Sequence, residues 1–123
     1  MTFALKRGQV WRAFVPFTDD PVQRKHRPVI VIGWSKLGSD QDNVVLVVPV
    51  TSFGDGGSPR EGDVEIVDQQ LGGFNKTPVW ARARRVWGAD PHAFDQQRGC
   101  TGTVTPEVMA LILLEIERMF AAY

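Results

Sequence analysis

The chain contains a single cysteine, Cys100, so no intramolecular disulfide can form anywhere in its 123 residues. One cysteine and no disulfide framework fit a reducing compartment. Net charge is absent too: 14 Lys and Arg stand against 14 Asp and Glu. That balance argues against a polybasic binder of the histone kind, although a local basic patch remains compatible with it. No apolar run approaches the roughly 18 residues of a membrane span. The opening MTFALKRGQ lacks the long apolar stretch of a secretory signal. The expected location is therefore the cytoplasm, with no membrane partner. Histidine is scarce, and His26, His92 and Cys100 have no spacing that suits a zinc site. Gly54, Gly56 and Gly57 are not followed by the Lys and helix of a phosphate-binding loop. No nucleophile elbow occurs. No metal and no other cofactor is expected.

What the chain does have is the means to fold alone. Its hydrophobic content is 43% and its aromatic content 10%, well outside the range of disordered segments. At this length one domain, spanning 1–123, can bury roughly two-thirds of its unfolded surface. No repeat or linker divides it. Gly, Pro and Asp recur at short intervals, which predicts many short strands. The first covers 8–17, GQVWRAFVPF. PVIVIG at 28–33 and VVLVVPV at 44–50 are continuous β-branched runs, the pattern of strands buried on both faces. DVEIV at 63–67 alternates. PVWARARRVW at 78–87 reads as one strand with Trp80, Arg82 and Arg84 on one face and Val79, Ala81 and Ala83 on the other. Residues 102–104 add a short last strand. Loops are expected at 18–26, 39–43, 53–62 and 68–77.

The pattern then changes to a helix, TPEVMALILLEIERMF. Thr105 suits the N-cap, Pro106 the first helical position and Glu107 the positive end of the dipole. Val108, Ile112, Ile116 and Met119 recur at helical spacing, and Met109, Leu113 and Phe120 widen the apolar surface. Burial in the monomer core explains some of that width, and contact with a second subunit or a partner is the sharper reading. Five or six strands followed by one helix, without βαβ alternation, predict a mainly β fold. The expected form is a small antiparallel barrel closed by a C-terminal helix.

Charge is balanced overall but not locally. Between Asp20 and Asp40 lie Arg24, Lys25, Arg27 and Lys36 and no acid. Between Asp68 and Asp90 lie Lys76, Arg82, Arg84 and Arg85, again without an acid. The two segments either converge on one anion-binding face, with Trp80 offering a stacking surface beside Arg82 and Arg84, or form solvated strand faces. Charge alone favours neither.

Two motifs stand at strand ends, where a rigid scaffold fixes polar groups. Lys25-His26-Arg27-Pro28 enters one buried strand, and Pro49-Val50-Thr51-Ser52 leaves the other. Arg27 can hold a phosphate through two parallel donors. The hydroxyls of Thr51 and Ser52 can reach the same oxygens. An arginine capping a strand and a Thr-Ser turn is the plainer account of the same residues.

Four segments together resemble the PemK/MazF family of bacterial toxin–antitoxin pairs. GQVWRAFVPFTDD resembles the family's opening strand, and KHRPVIVI its R-P strand. VVPVTS resembles its P-x-T-S segment, and GTVTPEVMALILLEIERMF its ending. They occur in the family's order and span nearly the whole chain. The resemblance implies an SH3-like antiparallel barrel with a terminal helix, a homodimer, and neutralisation by a cognate antitoxin. It implies a metal-independent endoribonuclease acting on single-stranded RNA, chiefly mRNA, at short sequence motifs. It places the family's catalytic arginine at Arg27 and its catalytic threonine at Thr51. Lys25, His26, Ser52, Trp80, Arg82 and Arg84 are expected to bind RNA or support the site. Two departures stand out: Gln9 replaces the usual Asp after Gly8, and Ala83 stands where the family often has an acid. The competing functions are a non-enzymatic gyrase poison of the CcdB kind, or an inactive barrel that only binds RNA or protein.

Overall fold

The computed structural model describes residues 5–14, 26–35, 44–52, 57–67 and 78–121. It contains β1 (Gln9–Phe14), β2 (His26–Ser35), β3 (Val44–Thr51), β4 (Asp63–Ile66), β5 (Val79–Arg82), β6 (Trp87–Ala89), β7 (Gly102–Thr103) and α1 (Pro106–Ala121). The strands form one curled antiparallel sheet in the order β4-β5-β3-β2-β1-β7, with β6 also on β3. The mainly β architecture with one terminal helix is the one the sequence predicts. The expected loops at 18–26, 39–43 and 68–77 lie wholly or almost wholly outside the described residues.

Strand β3 is the axis of this sheet. One edge pairs with β2, from Ser35↔Val44 to Val29↔Pro49. The other edge pairs first with β6, at Val45↔Ala89 and Val47↔Trp87, and then with β5, at Val50↔Ala81 and Thr51↔Trp80. Both faces of the strand are covered, as its unbroken β-branched run requires. On one face, Val48 and Val50 pack with Ile30, Val64, Ala81, Met109 and Ile112. On the other, Val45 and Val47 pack with Trp11, Ala13, Val29, Val31, Ala89 and Phe94.

The single strand expected over 78–87 is two strands. β5 ends at Arg82, a 3-10 turn occupies Ala83–Arg85, and β6 begins at Trp87. The cause lies in β3. Between its pairing with β5 and its pairing with β6 the register shifts by three residues, and the turn takes up that slack. Alternation therefore fails after Arg82. Arg84 does not share a strand face with Trp80 and Arg82.

Helix α1 begins as expected. The Val108 N–H donates to Thr105 Oγ1 at 3.2 Å, and Pro106 opens the first turn. Met109 and Ile112 are buried in the first cluster, with Val108, Leu113 and Ile116 against it. Leu111, Leu114 and Phe120 remain exposed, so the monomer covers only part of the wide apolar surface. Ile112 is fully buried between helix and sheet. Ile112→Ala should therefore lower the unfolding free energy by about 2–5 kcal/mol, read from urea denaturation.

Candidate active site

Two prolines shape the site. Pro28 and Pro49 lack the N–H that a strand residue donates. Val29↔Pro49 must accordingly be a pair that exchanges no hydrogen bonds, which aims the missing donor of Pro49 at the opposite edge of β3. There the ladder is already interrupted, between Val47↔Trp87 and Val50↔Ala81. By the same alternation the missing donor of Pro28 faces β3. The β2–β3 ladder stops at Val29↔Pro49 for that reason. The chain continues two residues farther on each strand, to Arg27 and to Thr51. Extended two residues beyond the ladder's last pair, the register sets Arg27 against Thr51.

Side-chain direction follows from the pleat. Arg27 has the parity of Val29 and Val31, and Thr51 that of Val45 and Val47. Both therefore stand on the second of the two faces, and both are half-buried. Thr51 pairs with Trp80 on β5, and Trp80 pairs with Glu65 on β4. Thr51, Trp80 and Glu65 thus make one row across three strands, which the extended β2–β3 register prolongs to Arg27. Ser52 follows Thr51 and is exposed. Lys25 lies outside the described residues.

Arg82 of β5 and Arg84 of the turn after it have acidic partners. Arg82 pairs with Asp63 across the β4–β5 ladder, Nε to Oδ1 at 3.7 Å, with side-chain exposures of only 17% and 5%. Arg84 Nη2 stands 3.5 Å from Glu61 and 3.5 Å from Glu115 of α1. Its stem lies over Gly62, where an added Cβ would come within 2.5 Å of Arg84 Nε. Gly62 has φ +91°, which also favours glycine. Arg84 thus ties the 3-10 turn to the β4 turn and to the helix. Alternation along 63–67 puts Asp63 on the face opposite Val64 and Ile66, and the β4–β5 register shows that it faces Arg82.

His26 goes the other way. It opens β2 opposite Phe14, and the two rings lie 3.7 Å apart, centroid to centroid. Its Nδ1 is 3.9 Å from Asp95 Oδ2. The backbone is already extended there, so His26 and Arg27 project to opposite faces. Among the described residues no three His, Cys, Asp or Glu side chains gather as metal ligands would.

Residues 6–120 match the family model described as PemK-like, MazF-like toxin of type II toxin–antitoxin system. The chain belongs to this family. Solved structures agree in fold. The Mycobacterium tuberculosis toxin MazF-mt6 has 16% identity and a TM-score of 0.62, covering 92% of this chain and 96% of its own. MazF from Deinococcus radiodurans has 18% identity and a TM-score of 0.64, covering 98% and 99%. An endoribonuclease in complex with its cognate antitoxin, from Mycobacterial species, has 16% identity and a TM-score of 0.65, covering 98% of each. No curated protein sequence is significantly similar to this chain. No helix among the described residues is long and apolar enough to cross a membrane.

The pairing of Arg84 has a measurable consequence. Each ion pair at such a part-exposed position contributes about 0.2–1 kcal/mol. Arg84→Ala should lower the unfolding free energy by roughly 1 kcal/mol, and 1 M NaCl should shrink the difference from wild type. Denaturant melts of both proteins at two salt concentrations check this.

Proposed function

We propose that this toxin is a sequence-specific endoribonuclease that cuts single-stranded RNA, chiefly mRNA, at the row formed by Arg27 and Thr51. The observation that carries the reading is their placement. In a chain of this toxin family, the R-P arginine and the P-x-T threonine share one sheet face at the end of the β2–β3 ladder, and that supports the reading.

Transphosphorylation of RNA asks little covalent chemistry of a protein. The 2′-oxygen attacks the adjacent phosphorus in line, the bond from phosphorus to the 5′-oxygen breaks, and a 2′,3′-cyclic phosphate forms. The 2′-hydroxyl loses its proton, and the departing 5′-oxygen gains one. Catalysis then rests on positioning and on stabilising charge at the phosphoryl oxygens. The Arg27 guanidinium supplies a fixed positive charge and parallel donors to those oxygens. Thr51 supplies a neutral O–H donor from the neighbouring strand. An arginine is a poor base because it does not lose its proton in proteins. His26 projects from the opposite face, so its role in this scheme is to hold the strand end against Phe14 and Asp95. No metal has a part in the scheme, and the cut is made in chelator.

The same proposal includes a cognate antitoxin, a homodimer and a cytoplasmic site of action. Support for the protein contacts comes from α1, whose Leu111, Leu114 and Phe120 are exposed. Arg84 belongs to the scaffold in this scheme, and Arg82 flanks the site from its pair with Asp63.

Incubation of the purified toxin with a long single-stranded RNA in EDTA, with end mapping, tests the proposal. Discrete cuts with 5′-hydroxyl ends are expected. Arg27→Ala should slow cleavage by at least about a hundredfold to a thousandfold, and Thr51→Ala should also slow it strongly, with unfolding transitions near wild type. Intact RNA with the wild-type protein, or normal cutting by Arg27→Ala, overturns it.

A further inference from the structure

All four tryptophans of the chain sit on the sheet face that carries Arg27 and Thr51. Trp11 packs into the cluster of that face. Trp80 pairs with Thr51, Trp87 with Val47 and Trp34 with Val45. Trp34 and Trp87 flank β3 from its two sides, on β2 and β6. Trp11 is buried, whereas Trp34 is 37% and Trp87 44% exposed.

We infer that Trp34 and Trp87 form a stacking platform for unpaired bases of the RNA beside the scissile phosphate. The inference rests on the proposed ribonuclease reading. Along β3, Trp87 lies four residues and Trp34 six residues from the level of Thr51. At ~3.3 Å per residue those offsets are about 13 Å and 20 Å, a span of a few nucleotides. A strand of RNA leaving the Arg27–Thr51 row along β3 passes one ring and then the other. Indole faces take any base, because every base has a π-face.

The chemistry of the face supports bases as the occupant. Arg82 is paired with Asp63, and Arg84 with Glu61 and Glu115. Phosphate contacts from the β5 side are therefore dampened, and among the described residues Trp34 and Trp87 are the large exposed side chains that flank β3 on this face. The two rings together expose on the order of 200 Å², taking up to ~250 Å² for a whole aromatic side chain. A specific protein–protein contact needs about 800 Å² per partner. Leu46, the exposed apolar residue between them on β3, points to the opposite face and does not enlarge the patch.

Fluorescence anisotropy tests the platform. The probe is a labelled 12-nucleotide RNA centred on the cut site mapped with the wild-type toxin, with a 2′-O-methyl group at the attacking position. Trp87→Ala and Trp34→Ala should each weaken binding by roughly tenfold to a hundredfold. Trp87→Phe and Trp34→Phe should restore most of it. In cleavage assays the alanine variants should raise KM and leave kcat near wild type, and sedimentation should give an unchanged oligomeric state. Wild-type affinity in both alanine variants, while the wild-type toxin cuts RNA, overturns the platform alone. A changed oligomeric state also overturns it and assigns the rings to a protein contact. Failure of the wild-type toxin to cut or bind RNA overturns the platform and the ribonuclease reading together.

Discussion

The pairing of β2 with β3, and its termination by two prolines, is the constraint on which the rest of the structure depends. Hydrogen bonding between β-branched strands fixes the register, and the register fixes which side chains meet. Pro28 removes the donor that would extend the ladder. Pro49 places its own missing donor where β3 changes partners. Arg27 and Thr51 are thereby held on rigid strands at a point where the strands no longer bond to each other. Such a position combines fixed geometry with an accessible edge, which charge stabilisation at a phosphoryl group requires.

The division of faces was legible in the sequence where the periodicity was clean. The runs at 28–33 and 44–50 announced strands covered on both sides, and the cap at Thr105 announced the helix start. The segment 78–87 reads as one strand because its alternation continues to Arg84 without a Gly or Pro to break it. The break comes from a register shift between distant strands, which no local pattern encodes. Charge misled for a related reason. Asp63, Glu61 and Glu115 are far from the arginines in sequence, so a segment free of acids looks basic although Arg82 and Arg84 each have an acidic neighbour in space.

The aromatic residues reverse that lesson. Trp34 and Trp87 sit in unremarkable strand sequence, 53 positions apart, and only their common partner β3 brings them to one face. The sheet therefore divides its labour by face and by level. One face packs against the helix. The other carries a buried middle, a polar row at one end and exposed rings toward the other end.

The most direct test of this account is a crystal structure of the toxin with a single-stranded RNA carrying a 2′-O-methyl group at the mapped cut site. The account predicts the scissile phosphate on the Val45–Val47 face of the sheet. Donors from the Arg27 guanidinium and the Thr51 hydroxyl should lie about 2.7–3.1 Å from its non-bridging oxygens. A phosphate bound on the opposite face, beside His26 and Asp95, would contradict it.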